Sequence, residues 1–169
     1  VELIPNIFPD QRGEFLEVYN KKTFKDLGLE MEFVQDNMSF SKKNVIRGMH
    51  FQKAPHEQGK LVSVVMGKAL DVVIDLRKNS PKYGQYKSFI LDSVKRNIIY
   101  VPEGFAHGFA ALEDTILTYK CTSNYNKQAD GGILWNDPDI GIDWGIENPI
   151  ISEKDQSLPN FRSFSKENG

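Results

Sequence analysis

Short segments of alternating apolar and polar residues recur along the chain, and turns rich in glycine and proline separate them. Such alternation is typical of strands that bury one face, because successive side chains of a strand point to opposite sides of the sheet. Many short strands at even spacing favour an all-β fold, a sandwich or barrel of the jelly-roll type with a few short helices. We predict a helix over residues 22–27 and strands over residues 3–8, 14–19, 33–39, 45–52, 60–66, 69–76, 86–91, 97–101, 105–112 and 115–123.

The predicted strand over residues 45–52 carries an arginine and one of the three histidines of the chain. Alternation places His50 with Gly48 on one face of this strand and Arg47 on the other. A histidine on a face flanked by apolar residues is either a hydrogen-bonded core residue or a functional one. The pattern alone leaves both interpretations open.

Composition changes this picture little. The 169 residues are 40% hydrophobic and 26% charged, which is ordinary for a globular protein, and we expect a single domain over residues 1–169. The formal net charge of −2 gives no general attraction to nucleic acid or to an acidic membrane surface. No apolar run is long enough to span a membrane, and no signal peptide is visible.

The single cysteine, Cys121, has no partner for an intramolecular disulfide and fits a reducing cytoplasm. Val1 already lies within strand-like sequence, so we expect that a short N-terminal piece is missing. Residues 161–169 are largely polar, and we expect them to be frayed.

Three further polar residues stand out within the strand pattern or near its end. Lys60 opens an otherwise apolar strand and is either a solvated strand end or a functional side chain. Tyr119 shares a face with Leu117, which predicts an inward position and is compatible with a simple core tyrosine. Asp155, taken alone, has the character of an ordinary surface carboxylate.

A metal site is one possible use of the histidines. The segment Pro102–His107 resembles the second cupin motif, whose histidine binds a metal in some jelly-roll proteins. The first cupin motif needs two histidines separated by one residue, but here Gln52 stands in place of the second one after His50. Because a transition metal needs a full ligand set, we predict no metal site and no cofactor.

Several motifs follow one another across nearly the whole chain, from Ile4 to about Pro159. They are Arg47–Gln52, Lys60–Val62, Asp71–Arg77, Ser80–Pro81, Pro102–Phe109, Tyr119–Lys120, Trp135–Trp144 and Ser152–Asp155. In this order and spacing they resemble the dTDP-4-dehydrorhamnose 3,5-epimerases. The resemblance implies a cupin-like, dimeric, metal-independent enzyme that takes a nucleotide-sugar substrate in the synthesis of dTDP-L-rhamnose for bacterial surface polysaccharide.

The resemblance also implies roles for individual residues. His50 matches the catalytic base of the family, and Asp155 matches the carboxylate that pairs with it. Tyr119 matches the general acid on the other side of the sugar, and Lys60 matches the lysine beside the 4-keto oxygen. The positions that match substrate-binding residues are Arg12, Phe15, Glu17, Gln35, Asn37, Arg47, His107 and Tyr125.

These side chains suit the implied chemistry. Epimerisation beside a ketone removes a carbon-bound proton and returns one to the opposite face, which requires a base that changes charge near neutral pH, such as histidine. A positioned cation stabilises the enolate oxygen, and the forked guanidinium of arginine suits phosphate oxygens. By resemblance, Arg12, Phe15 and Glu17 contact the nucleotide and can serve the site of the neighbouring subunit.

Two departures from the family pattern are visible: Ser63 replaces an arginine common in relatives, and Gly145 replaces a proline. Three alternatives to a 3,5-epimerase stay open. They are an epimerase that inverts only C3 or C5 of a related 4-keto sugar, a non-catalytic sugar-binding cupin, and a metal-dependent cupin isomerase or oxygenase.

Overall fold

The computed structural model describes residues 1–167, a range that contains twelve strands and three short helices. The helices are α1 (Lys21–Asp26), α2 (Glu153–Gln156) and α3 (Phe161–Glu167). The strands are β1 (Glu2–Leu3), β2 (Ile7–Asp10), β3 (Gly13–Leu16), β4 (Gln35–Ser41), β5 (Ile46–Gln52), β6 (Lys60–Met66), β7 (Lys68–Asp75), β8 (Tyr86–Asp92), β9 (Ile98–Val101), β10 (Phe105–Ala111), β11 (Thr115–Cys121) and β12 (Asp130–Gly132).

The strands form two five-stranded antiparallel sheets and one separate hairpin. Sheet one has the order β1-β9-β6-β11-β4, sheet two has the order β12-β5-β10-β7-β8, and β2 pairs with β3. Strands adjacent in space are often far apart in sequence, as in the central pairing of β10 with β5 and β7. This arrangement is a cupin-like jelly roll, so the predicted all-β fold is confirmed.

Alternation along each strand divides the apolar residues into three layers. The layer between the sheets contains Val62 and Leu117 from sheet one and Phe109 from sheet two. A second layer covers the outer face of sheet two, where Trp144 belongs to the C-terminal segment. A third covers sheet one, where Phe24 of α1 packs on its outer face. Both sheets are therefore packed on both faces, and part of the space between them is left as a cavity bordered by Phe109 and Leu117.

The end of the chain differs from its prediction. Residues 161–167 form α3, and Phe164 is buried in the layer behind sheet two, with its ring 5.4 Å from that of Phe51. The expectation of a frayed end is therefore wrong for this helix, because its phenylalanines supply an apolar stripe that the polar composition concealed. Residues 168–169 lie outside the described residues.

The N-terminal segments also differ in detail. The predicted strand over residues 3–8 is divided into β1 and β2, which belong to different sheets, and Pro5 lies between them. Proline has no N–H for a sheet ladder, which accounts for the break. The predicted helix is confirmed as α1, where the Asn20 side chain accepts hydrogen bonds from the N–H groups of Lys22 and Thr23.

Candidate active site

An irregularity in β5 brings two polar side chains to the same side of sheet two. His50 lies opposite His107 of β10, whereas Arg47 lies opposite Phe109. Between these two pairs β5 advances by three residues and β10 by only two. The extra residue reverses the alternation, as in a β-bulge. The prediction that Arg47 and His50 lie on opposite faces is therefore wrong, because both side chains line one cavity between the sheets.

Glycine at position 48 is required at this irregularity. Gly48 has a φ of 139°, and a Cβ atom there would lie 2.6 Å from the Cα of Gly108 on β10. Residues other than glycine rarely adopt this conformation. The close approach of the two strands thus depends on the absence of a side chain.

The cavity has a volume of about 310 Å³. Sheet two supplies Arg47, His50 and His107, and the facing sheet one supplies Lys60 and Tyr119. Residues from the segment around α2 close a further side. The remaining lining residues are Ser39, Gly108, Phe109, Leu117, Ser152, Lys154 and Asp155.

His50 is held by Asp155. Its Nε2 lies 2.7 Å from Asp155 Oδ1, and the N–H of Gly48 donates to Oδ2 over 3.1 Å. Burial alone would raise the pKa of the Asp155 carboxyl, but the hydrogen bonds from His50 and Gly48 hold this pKa below its ordinary value. Asp155 is only 4% exposed, so it is not a surface carboxylate, and it fixes the orientation of the partly exposed imidazole.

Lys60 and Tyr119 occupy the opposite wall. Lys60 points between the sheets rather than into solvent, and its Nζ lies 6.0 Å from the centre of the Tyr119 ring. No hydrogen-bond acceptor for this Nζ occurs within residues 1–167. Burial lowers the pKa of the Lys60 ammonium and raises the pKa of the Tyr119 phenol. The phenol is therefore protonated at neutral pH and can donate a proton.

A second histidine is paired with a second aspartate. His107 Nε2 lies 2.8 Å from Oδ2 of Asp71, a residue with no exposed surface. His107 is itself buried and reaches the cavity beside His50. Two neighbouring histidines thus each use Nε2 to contact a carboxylate.

Arg47 is anchored to β4. Its Nε donates to the Ser41 hydroxyl over 3.0 Å and one of its terminal nitrogens donates to the Phe40 carbonyl. These bonds leave part of the forked guanidinium free at the cavity wall. Such a group suits the recognition of phosphate or sugar oxygens.

The other sequence-derived candidates on this chain form a polar edge beside the cavity. Asn37 faces Tyr119 in the β4–β11 register, and Gln35 donates to Asn37 over 2.9 Å. Gln35 also accepts a hydrogen bond from the N–H of Tyr125, which is exposed near this edge and whose hydroxyl donates to Asp130. None of the three lines the cavity directly.

The structure does not bring the N-terminal candidates to this cavity. Arg12 forms an ion pair with Asp10 in the β2–β3 hairpin, and Phe15 is 68% exposed on the same hairpin. Glu17 follows the hairpin and accepts a hydrogen bond from Asn20. All three are available on the surface of the chain.

Sequence reasoning missed several members of the site. Lys154 lines the cavity and forms an ion pair with Asp130, and Asp71 supports His107 from within β7. A carboxylate at an inward position of an apolar strand was a signal for Asp71. Lys154 carried no comparable signal beyond its place next to Asp155 in the same short motif.

The arrangement suits proton transfer to carbon. A carboxylate-supported imidazole and a protonated phenol lie on opposite walls, and the Lys60 ammonium lies beside the phenol. Within the described residues no three histidine, cysteine, aspartate or glutamate side chains converge as a metal-binding group. Over the same range no helix is long and apolar enough to cross a membrane.

Comparison with known proteins agrees with this chemistry. The family model for dTDP-4-dehydrorhamnose 3,5-epimerase matches residues 1–163. The enzyme of that name from Methanothermobacter thermautotrophicus is 50% identical over 162 residues, which are 94% of this chain and 87% of the relative.

Two solved structures are also similar to this chain. The Bacillus anthracis dTDP-4-dehydrorhamnose 3,5-epimerase with TDP and PPi bound superposes with a TM-score of 0.93 at 46% identity, covering 95% of this chain and 93% of that one. The Legionella pneumophila enzyme in complex with dTDP-4-keto-L-rhamnose superposes with a TM-score of 0.93 at 38% identity, covering 98% of this chain and 89% of that one. The chain is therefore an epimerase that belongs to the dTDP-4-dehydrorhamnose 3,5-epimerase family.

Proposed function

We propose that the protein converts dTDP-4-dehydro-6-deoxy-D-glucose into dTDP-4-dehydro-L-rhamnose by inverting C3 and C5, as a step in dTDP-L-rhamnose synthesis. The observation that carries the proposal is the position of His50 and Tyr119 on facing walls, with the Lys60 ammonium beside the tyrosine. The bound nucleotide and keto sugar of the solved relatives support this substrate class.

In this mechanism His50 removes the proton from the carbon beside the 4-keto group. Asp155 holds Nε2 of the imidazole, which leaves Nδ1 to accept the carbon-bound proton. The carboxylate then stabilises the imidazolium that forms, as in other histidine–aspartate pairs. A positioned base of this kind contributes about 10²–10⁴-fold to the rate.

Removal of the proton moves the electron pair of the C–H bond into the carbonyl, which becomes an enolate oxygen. Lys60 is the donor for this oxygen, because its buried ammonium has no hydrogen-bond acceptor within residues 1–167 and lies in the cavity wall. A preorganised donor of this type is worth about 10²–10³-fold in rate.

Tyr119 completes the inversion from the other face. Its phenol donates a proton to the carbon of the enolate, which restores the ketone with the opposite configuration. The phenolate that forms lies near the Lys60 ammonium, which stabilises it until solvent returns a proton. His107 and Arg47 bind the sugar and diphosphate oxygens in this proposal.

In this proposal, binding of the nucleotide part of the substrate involves a second copy of the chain. Arg12, Phe15 and Glu17 are exposed and lie outside the cavity, so we propose a homodimer in which the hairpin of one protomer reaches the site of its partner. Exposed Phe8 and Phe15 on this hairpin supply apolar surface for such a contact. In that position Phe15 would stack on the thymine and Arg12 would bind the diphosphate.

We also place the protein in the cytoplasm. Its one cysteine, Cys121, is a buried free thiol, which is compatible with a reducing compartment.

Incorporation of deuterium tests the reaction directly. The protein is incubated with dTDP-4-dehydro-6-deoxy-D-glucose in D₂O, and the sugar C3 and C5 protons are followed by NMR with and without a chelator. We expect both protons to be replaced, with no effect of the chelator. The His50→Asn variant should lose the exchange, whereas Tyr119→Phe should still exchange protons through His50 but form little inverted product.

Each other outcome identifies an alternative. Exchange at one carbon only would indicate a single-carbon epimerase, and loss of exchange with chelator would indicate a metal-dependent cupin. Binding without any exchange would indicate another keto sugar as substrate or a sugar-binding protein without catalysis.

A further inference from the structure

Only two buried side-chain oxygens lack a hydrogen-bond partner within residues 1–167. One belongs to a residue that lines the cavity described above, and the other belongs to a residue bonded to His107 of that cavity. They are Ser39 Oγ and Asp71 Oδ1. The serine is a neutral hydroxyl, whereas the aspartate is a titratable group with no exposed surface. A buried carboxylate that uses only one of its oxygens is costly unless nearby positive charge compensates it.

The surroundings of Asp71 show which side chains can compensate its buried carboxylate. Asp71 points inward from β7, the strand next to β10, and its Oδ2 contacts Nε2 of His107 at 2.8 Å. Burial raises the pKa of the Asp71 carboxyl, whereas the hydrogen bond from His107 and the charge of Lys60 act in the opposite direction. Lys60, on the facing sheet, is buried and has no hydrogen-bond acceptor among the described residues. One carboxylate therefore acts on two residues of the cavity, on His107 through a hydrogen bond and on Lys60 through its charge.

We propose that Asp71 is a positioning residue for the epimerisation, which fixes the ring nitrogen that His107 presents to the sugar and places a negative charge in the surroundings of the Lys60 ammonium. This inference rests on the proposed function, in which the Lys60 ammonium stabilises the enolate oxygen.

The other groups around Lys60 cannot replace Asp71 in the second role. The groups that act on Lys60 besides Asp71 are Cys121 and Asp130, and Tyr119 contacts it through its ring. Burial raises the pKa of the Cys121 thiol and of the Tyr119 phenol, so both are neutral at neutral pH. Asp130 already forms an ion pair with Lys154.

The same carboxylate determines how His107 contacts a ligand. An ionised Asp71 accepts a hydrogen bond, so the proton of a neutral His107 must lie on Nε2. Nδ1 then carries a lone pair, which accepts a hydrogen bond from a sugar hydroxyl. A protonated Asp71 would give the opposite arrangement, with Nε2 accepting and Nδ1 donating.

An isosteric variant tests the proposal by its kinetics. In Asp71→Asn we expect kcat to fall about 10–100-fold while KM changes much less, because stabilisation of the enolate is lost rather than ground-state binding. The high-pH limb of the kcat profile should move to lower pH, since Lys60 without its counter-charge loses its proton at lower pH.

Asp75 offers a matched control on the same strand. It is 3% exposed, points inward four residues further along β7, and is bonded to Arg77 and Ser80 outside the catalytic cavity. Asp75→Asn should lower thermal stability but leave the shape of the kcat profile unchanged. If Asp71→Asn shows no larger loss of kcat than Asp75→Asn and an unmoved high-pH limb, Asp71 is merely structural and the proposal is wrong.

A measurement on the unaltered protein keeps the proposal testable if Asp71→Asn does not fold. In protein with ¹⁵N-labelled histidine, the His107 nitrogen signals, assigned with a His107→Gln variant, report which nitrogen carries the proton. We expect Nε2–H at neutral pH, and Nδ1–H would overturn the proposal. Because this readout needs no substrate, it still tests Asp71 if the protein fails to turn over the proposed sugar.

Discussion

Asp155 illustrates how one side chain acquires its role from its surroundings. It lies in α2, where the Ser152 hydroxyl accepts a hydrogen bond from the Asp155 N–H at the start of the helix. This cap fixes the first turn and directs the carboxylate toward His50 and the Gly48 N–H. Glu153, two positions before it, is equally acidic but exposed.

Replacement of Asp155 by asparagine should therefore separate catalysis from folding. In Asp155→Asn we expect kcat to fall about 10²–10⁴-fold, because the imidazolium loses its counter-ion and its orientation, with a smaller change in KM. Steady-state kinetics measure both values. Glu153→Gln on the same helix is the control and should retain full kcat, whereas equal effects of the two variants would refute the role of Asp155.

The lowered pKa of Asp155 adds a dependence of stability on pH. Because the folded-state pKa lies below the unfolded value of 3.8, the ionised carboxylate stabilises the fold above that pH, and this contribution is lost as the pH falls through the folded-state pKa. The difference in Tm between the parent protein and Asp155→Asn should therefore shrink below about pH 4. A constant difference from pH 7 to pH 3 would contradict this assignment.

Among the secondary-structure elements, β5 has the largest influence on the site. Its inserted residue places Arg47 and His50 on the cavity side while Met49 packs behind sheet two. A regular strand would have sent one of the two polar side chains into the apolar layer. The cavity therefore depends on the local path of a single strand.

Substitution of Gly48 should disturb that path. In Gly48→Ala the added Cβ would meet the Gly108 backbone at a positive φ, and we expect a loss of about 1–3 kcal/mol in the free energy of unfolding, together with reduced kcat. Thermal denaturation and kinetics measure these effects.

Gly145→Ala provides the comparison for this substitution. Gly145 also has a positive φ, but a Cβ added there would meet no atom within 4 Å, so only the conformational cost applies. Equal losses of stability in the two variants would show that crowding between β5 and β10 is not important.

For the whole molecule, the proposed homodimer raises the question of which protomer's cavity the β2–β3 hairpin contacts. Its candidate residues are exposed on the chain that carries them, and Arg96 ties the hairpin to the body of the protein through Glu14. A hairpin held in this way presents Arg12 and Phe15 outward. This geometry is what a contribution to a neighbouring site requires.

Mixed dimers test that contribution. An Arg12→Ala chain retains His50, and a His50→Asn chain retains Arg12, so a hybrid dimer contains one complete site if the hairpin acts on its partner. After mixing and exchange of two variants that are each nearly inactive, we expect recovery of about a quarter of parental activity by random pairing. No recovery in dimers verified by sedimentation would show that Arg12 acts within its own protomer or not at all.

Much of the fold could be predicted from the alternation of apolar and polar residues. The central strands from β6 to β11 lie within about two residues of their predicted limits, because their alternation and the intervening turns are local properties. The inward position of Tyr119 also follows from alternation with Leu117, whereas the interpretation of Lys60 stayed open until the structure showed it buried. The end of the chain was mispredicted because one buried and one partly buried phenylalanine in α3 are few against a polar background.

Only part of the candidate site could be predicted from the sequence. Motif resemblance named His50, Lys60, Tyr119 and Asp155, and all four line one cavity. It did not indicate that Asp71 would lie behind His107. Burial of a carboxylate and its electrostatic contact with a lysine of another sheet depend on how two sheets face each other, which no local pattern encodes.

Alternating polarity along the chain was therefore sufficient for most of the strands and for the all-β class, since alternation depends on neighbours a few residues away. The composition of the site needed the folded arrangement. Asp155 and His50 are 105 positions apart, and they meet because α2 closes the cavity over β5. The side on which Arg47 lies was fixed by a close approach between β5 and β10, a contact between distant segments that reverses the local alternation.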